Sequence, residues 1–288
     1  MIKTILVHLL GDGQDEFALK AAYELARPFG AHIEALHLRR GLGAAAWRAP
    51  PDAVLGAALT GGLAEQLGEV DETHARSART AFDDLCSREN LMLADTPGPD
   101  AVSAEWSDLR GGLDRLLDRA RFNDMLLTRR SPGAPDGADE DIGRLIMECS
   151  RPVLVVPDGG GPVSLLGTIA VAWKDTDESA RALSAALPML QKANRVVLLC
   201  AADQSEAAPD ASDALRLLAW HGIGAEARSV LLEVGQSPAR AVLDAAVGAG
   251  AGLLVLGGYG HPRVLEWMLG GFTQDVLDDA RISVLIVH

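Results

Sequence analysis

The sequence has no excess of positive charge. Its 26 Lys and Arg stand against 40 Asp and Glu, for a net charge of −14. That balance excludes a broad nucleic-acid or anionic-membrane surface, and leaves room for a small anion site built from backbone amides. No apolar run approaches the roughly 18–20 residues of a membrane span, and Met1 leads straight into the strand-like ILVHLL, so a cytoplasmic protein is expected. Cysteine is sparse: Cys86, Cys149 and Cys200 are odd in number, with no CxxC spacing and no histidine cluster nearby. Buried free thiols are expected, not a metal or redox centre. There is also no nucleophile elbow, no zinc spacing and no GxxxxGK[ST] loop, so catalytic constellations are thin.

What is present is a β-α alternation that runs twice. With 288 residues, 48% of them apolar, the chain is long enough for two globular α/β domains. The first pass reads strands over 2–9, 31–38, 101–106, 124–128 and 152–156 and helices over 15–27, 65–90, 109–121 and 141–150. The long helix carries Ala75, Ala78, Phe82 and Leu85 on its apolar side. Residues 41–62 and 129–140 lack a firm period and read as loops. After the breaker-rich linker 158–166, strands follow over 168–173, 195–201, 225–232, 253–256 and 282–287, with helices over 177–192, 212–221, 237–249 and 271–280. Both passes close alike, on CSRPVLVVP and ARISVLIVH. We therefore expect a duplicated unit, with domains at 1–157 and 167–288, each an open parallel sheet covered by helices on both faces.

The chemistry concentrates between Gly252 and Thr273, GLLVLGGYGHPRVLEWMLGGFT. A short apolar strand runs into Gly257, Gly258 and Gly260, and a second pair, Gly270 and Gly271, opens a helical pattern. Two readings fit. The glycines serve tight turns between strand and helix, or they let backbone amides and a positive helix end face an anion such as a phosphate.

In the spacing Gly257-x2-Gly260-x9-Gly270, the second pass resembles the nucleotide-binding loop of the universal stress protein family. AVAWKDTDESARALSAALPML is similar to the family's opening strand and helix, and GGFTQDVLDDARISVLIV to its closing ones. The resemblance implies two tandem doubly wound sheets of five parallel strands, ordered 3-2-1-4-5 and of the adenine nucleotide alpha hydrolase-like kind, packed as an intramolecular pseudo-dimer. Pro152–Val156 and Ile282–Val287, short apolar edge strands in that order, are expected to pair antiparallel.

It further implies ATP or another adenine nucleotide as ligand, with Mg2+ as a companion ion and a sensing or regulatory role. A slow ATP hydrolase and a scaffold that binds nothing are the rival readings; homodimerisation is compatible with all three. Gly257, Gly260 and Gly270 would line the phosphates. Gly271 stands where the family prefers Ser, followed by Phe272 and then Thr273, a frequent Thr. Ala172, ending the opening strand, and Ala201, ending the next, would face the nucleoside. Lys174 replaces the Asp that commonly contacts it, and could approach phosphate oxygens instead, with Asp175 beside it. In the loop, Arg263 is a bidentate phosphate candidate, His261 a weaker one, Glu266 a single carboxylate near the metal, and Trp267 a packing residue. The first pass departs further: Leu10 takes the Asp position, and Asp136, Asp139, Glu140 and Asp141 crowd carboxylates where phosphates would sit. Arg129 and Arg130 read as solvated. The first copy is expected to be structural.

Overall fold

The computed structural model describes residues 1–39, 62–96, 101–130, 138–157, 159, 164–202, 209–233, 235–258 and 271–288, with the side chains of 62–67 and 138–140 outside the description. Two compact units emerge, Ile2–Asp141 and Ile142–His288.

The first unit opens with β1 (Thr4–Leu9), α1 (Asp15–Ala26), a 3-10 turn at Arg27–Phe29 and β2 (His32–Arg39). It continues through α2 (Gly62–Glu89), β3 (Met92–Leu93), β4 (Ser103–Arg110), α3 (Leu113–Ala120) and β5 (Met125–Arg129). Gly30 ends the 3-10 turn at φ 57°, a left-handed conformation that suits a residue without Cβ. Its strands lie in the order β3-β4-β2-β1-β5, all parallel. β1 is central, so Ile5 to Leu9 are buried on both faces, as the unbroken apolar run requires. Ala75, Ala78, Phe82 and Leu85 of α2 are buried, as their spacing predicts. Phe82 meets Trp106 with ring centroids 5.7 Å apart, and Arg79 sits 5.4 Å from the Trp106 ring.

Several boundaries differ from the sequence reading: Arg129 ends β5 and residues 138–140 are helical in a stretch expected to be loop, and α2 begins at Gly62 and not at residue 65. Leu109 and Arg110, expected to begin a helix, finish β4, and α3 starts at Leu113. The outer end of β4 is largely exposed, and its polar residues imitate the helical period of α3. The two-residue edge strand β3 was not expected; Met92 and Leu93 are exposed and too few to show a period.

α4 (Ala138–Glu148) carries the division between the units. The second unit then holds β6 (Val153–Val156), β7 (Thr168–Ala172), α5 (Asp177–Leu190), β8 (Arg195–Ala202), α6 (Ser212–Trp220) and β9 (Ala225–Leu231). α7 (Pro238–Gly248), β10 (Ala251–Gly257), α8 (Gly271–Asp279) and β11 (Ser283–Val287) complete it. The order is β6-β11-β10-β7-β8-β9. From β9 to β11 the strands are parallel and follow the expected 3-2-1-4-5 arrangement. β6 joins β11 antiparallel, with Val155 opposite Val284, Leu154 opposite Leu285 and Val153 opposite Ile286. That is the pairing expected from two short apolar edges.

Candidate functional site

In the second unit β7 lies between β8 and β10, so the chain leaves it toward both sides of the sheet. Such a switch point opens a crevice at the carboxyl ends of the strands. The register brings the predicted residues to that end. Ala172 stands opposite Leu199, two residues before Ala201, and Val171 stands opposite Val255, two before Gly257. The Trp173 N–H donates to the Leu199 carbonyl at 2.9 Å and extends the ladder by one step. Ala172 and Ala201 are half-buried, while Lys174 and Asp175 are exposed. Among the described residues the Lys174 ammonium has no hydrogen-bond or ion-pair partner. Thr176 caps α5: its hydroxyl accepts from the Ser179 N–H at 3.4 Å, with Asp177 and Glu178 in the first turn.

Trp173 was not singled out from the sequence. Its ring is buried and its Nε1–H donates to the Asp210 carbonyl at 3.0 Å, tying the loop before α6 to the end of β7. A large aromatic at a strand end, next to Lys174, is the signal that could have found it.

The described glycines differ from one another. A Cβ on Gly257 would lie 2.5 Å from the Glu178 carbonyl carbon and 2.7 Å from the Glu178 oxygen. The bare backbone of Gly257 thus lets the first turn of α5 seat against the end of β10. One on Gly258 would come 3.2 Å from Ile286 Cγ2, and the Gly258 N–H donates to the Val287 carbonyl at 2.8 Å. Gly271, at the start of α8, faces open space, where an added Cβ meets nothing within 4 Å. Phe272 is half-buried and Thr273 is buried. Ser237 Oγ donates to Asp275 at 3.1 Å and Arg240 to Asp279 at 3.0 Å, which fixes α8 against α7. Gly260, His261, Arg263, Glu266, Trp267 and Gly270 lie outside the described residues.

The same place in the first unit is built otherwise. Ile5 pairs with Met125 as Ile169 pairs with Leu253, so counting along the strands sets Arg129 at the position of Gly257 and Leu10 at that of Lys174. Arg129 was read from the sequence as solvated; its side chain is 0% exposed. Its guanidinium is ion-paired with Asp12, and Nη1 donates to the Arg130 carbonyl at 2.6 Å. The neighbouring amides are also occupied. Asp15 accepts from the Leu10 N–H at 2.9 Å and the Gly11 N–H at 2.8 Å. Burial pushes the Asp15 carboxyl above its usual range, opposed by those two backbone bonds. Gly11, at φ 77°, could carry no Cβ, because the His74 backbone carbonyl carbon would lie 2.6 Å from it. Of the acidic tract, Asp141 is buried and Asp136 lies outside the described residues; so do the side chains of Asp139 and Glu140.

Neither unit displays an activated nucleophile among the described thiols. Burial raises Cys149 and Cys200, and lifts Cys86, which is half-buried and not buried as expected, to about 11. No three His, Cys, Asp or Glu among the described residues are grouped to hold a metal ion. No described helix is long and apolar enough to cross a membrane.

Two units of this kind, each built on a doubly wound sheet whose strands run parallel except for β6, define a tandem α/β architecture. Comparison with known proteins places part of the chain beside a family. The Universal stress protein family's sequence model matches residues 166–288, so the second unit is similar to that family. The fold extends over both units. A universal stress protein of Archaeoglobus fulgidus DSM 4304 superposes with a TM-score of 0.64 at 15% identity, covering 99% of this chain and 95% of its own. A putative universal stress protein of Pseudomonas aeruginosa UCBPP-PA14 gives 0.54 at 17% identity, with 99% and 93% covered. A protein of unknown function from Pseudomonas aeruginosa PAO1 gives 0.56 at 16%, with 99% and 92% covered. A comparison with curated proteins gives no match.

Proposed function

We infer that the second unit binds an adenine nucleotide, such as ATP, at the carboxyl ends of β7, β8 and β10, and that occupancy serves sensing or regulation in the cytoplasm. The observation that carries this reading is the glycine interval Gly257-x2-Gly260-x9-Gly270, inside the span matched by the family. Ala172 and Ala201 would face the nucleoside through their backbone. Gly260, Gly270 and Gly271 would offer amides to the phosphates, reinforced by the start of α8. Gly257 contributes by seating α5, which brings Thr176 and Lys174 to the same edge. Phe272 and Thr273 anchor the helix start. Lys174 and Arg263 would supply charge to the phosphates, and Mg2+ would travel with them. The proposed domains are 1–157 and 167–288 around the linker 158–166, with homodimerisation a further association.

Calorimetric titration of Gly260→Val with ATP tests the site. Affinity should fall at least about 100-fold, because a branched side chain obstructs the close approach an amide cradle needs. Unchanged circular dichroism separates this loss from unfolding. A folded variant that binds like the parent removes the cradle. Steady ADP release by the parent would make the protein a slow hydrolase instead.

A further inference from the structure

The first unit holds a cavity of 390 Å3 at the amino ends of β1, β2 and β4, at the opposite end of its strands from Arg129. Its floor is polar where the fold does not require it. Glu34, in the middle of the sheet and 3% exposed, is ion-paired with Arg119 and accepts from Asn123 Nδ2 at 3.1 Å. The duplicated copy shows what the fold places there otherwise. Leu6 pairs with Glu34 as Ala170 pairs with Val197, so Val197 is the counterpart of Glu34. Counting back from β5 and β10 sets Val247 against Arg119 and Ala251 against Asn123. Three apolar residues in one copy thus stand for a carboxylate, a guanidinium and an amide in the other. Arg119 is half-exposed and Glu34 buried, and an ion pair that buries a carboxylate seldom stabilises more than the apolar residues that could replace it. The polar set therefore calls for another explanation.

The charges around the cavity do not balance. Glu34 and Glu105 share the single guanidinium of Arg119, Glu105 at 3.1 Å. His32 approaches Glu105 at 3.8 Å and hydrogen-bonds Ser103 Oγ at 2.8 Å. At the rim Asp95 adds a carboxylate and Lys3 an ammonium, and among the described residues neither has a side-chain partner. Apart from the His32 imidazole, three carboxylates, of Glu34, Glu105 and Asp95, face two cations, Arg119 and Lys3. Phe122, 80% exposed, lines the same cavity and offers an apolar ring to an alkyl chain or a cation. The volume falls within the range of small-molecule sites, about 300–1,000 Å3.

We propose that this cavity binds a small aliphatic amine, with Glu105 and Asp95 receiving the ammonium groups, Phe122 packing on the methylenes, and the Glu34–Arg119–Asn123 set holding Glu105 in place. The nucleotide site is not involved.

The full chain is titrated calorimetrically with 1,4-diaminobutane and with its neutral analogue 1,4-butanediol. The diamine should bind and the diol should not. Glu105→Gln should weaken the diamine about tenfold or more, as loss of a charge-assisted contact does, and the exposed Asp95→Asn about threefold. ATP binding should be unchanged in both variants. No heat from the diamine at millimolar concentration, equal binding of the diol, or diamine affinity indifferent to both substitutions overturns the proposal.

Discussion

The carboxyl ends of the two sheets are one design carried to opposite outcomes. At the end of β10 stands Gly257; at the matching end of β5 stands Arg129, fully enclosed. In the second unit the missing side chain admits the first turn of α5, and among the described residues nothing pairs with the Lys174 ammonium or meets a Cβ at Gly271. In the first unit an internal guanidinium meets Asp12, while Asp15 takes the Leu10 and Gly11 amides. Donors that could serve a ligand serve the fold. A duplicated sheet can thus fill its switch point with its own charged side chains, or leave that place to something else.

Removing the guanidinium disturbs the first copy most. Arg129→Leu should lower stability in urea by on the order of 2–4 kcal/mol, since it breaks a buried pair and leaves the Arg130 carbonyl without its donor. The nucleotide count should not change. A loss near zero would mean that Arg129 is ornamental and the contrast between the copies is not energetic.

The reciprocal change is smaller. Gly257→Ala should cost about 1–3 kcal/mol, because the new methyl must displace Glu178 backbone and not a flexible side-chain tip. A neutral substitution would show that α5 does not rest on β10 through this glycine.

Most of the architecture was legible in the sequence, and the exceptions share a physical cause. β1, β10 and β11 announce themselves because strands covered on both faces are apolar throughout. β3 and the outer part of β4 do not, since exposed strands carry no such constraint. Arg129 was misread because its enclosure depends on Asp12, 117 positions away, a contact no local pattern encodes. Glu34 passed unnoticed for the same reason: Arg119 and Asn123 lie 85 and 89 positions on. Of the site, the strand register sets Ala172, Ala201 and Gly257 at the carboxyl ends of neighbouring strands. The role of Gly257 in seating α5 was hidden, because spacing does not say which neighbour needs the room.

The smallest effect concerns pH. Asp15 keeps its proton to higher pH when folded than its ordinary value of 3.8, because burial outweighs its two backbone bonds. Above 3.8 the folded chain therefore holds more protons than the unfolded one, and stability falls as pH rises from there through the folded pKa. Stability relative to Asp15→Asn should decline across that window, by about 1.4 kcal/mol for each unit by which the pKa is raised. A difference that is flat or grows with pH would contradict the assignment, and with it the account of how the first copy satisfies its amides.

The central claim is that one copy binds and the other is self-filled. Calorimetric titration of the full chain with ATP should therefore saturate at one nucleotide per chain, and at none in Gly260→Val. Two per chain, or one that survives Gly260→Val, would place a ligand in the copy whose site Arg129, Asp12 and Asp15 are held to fill.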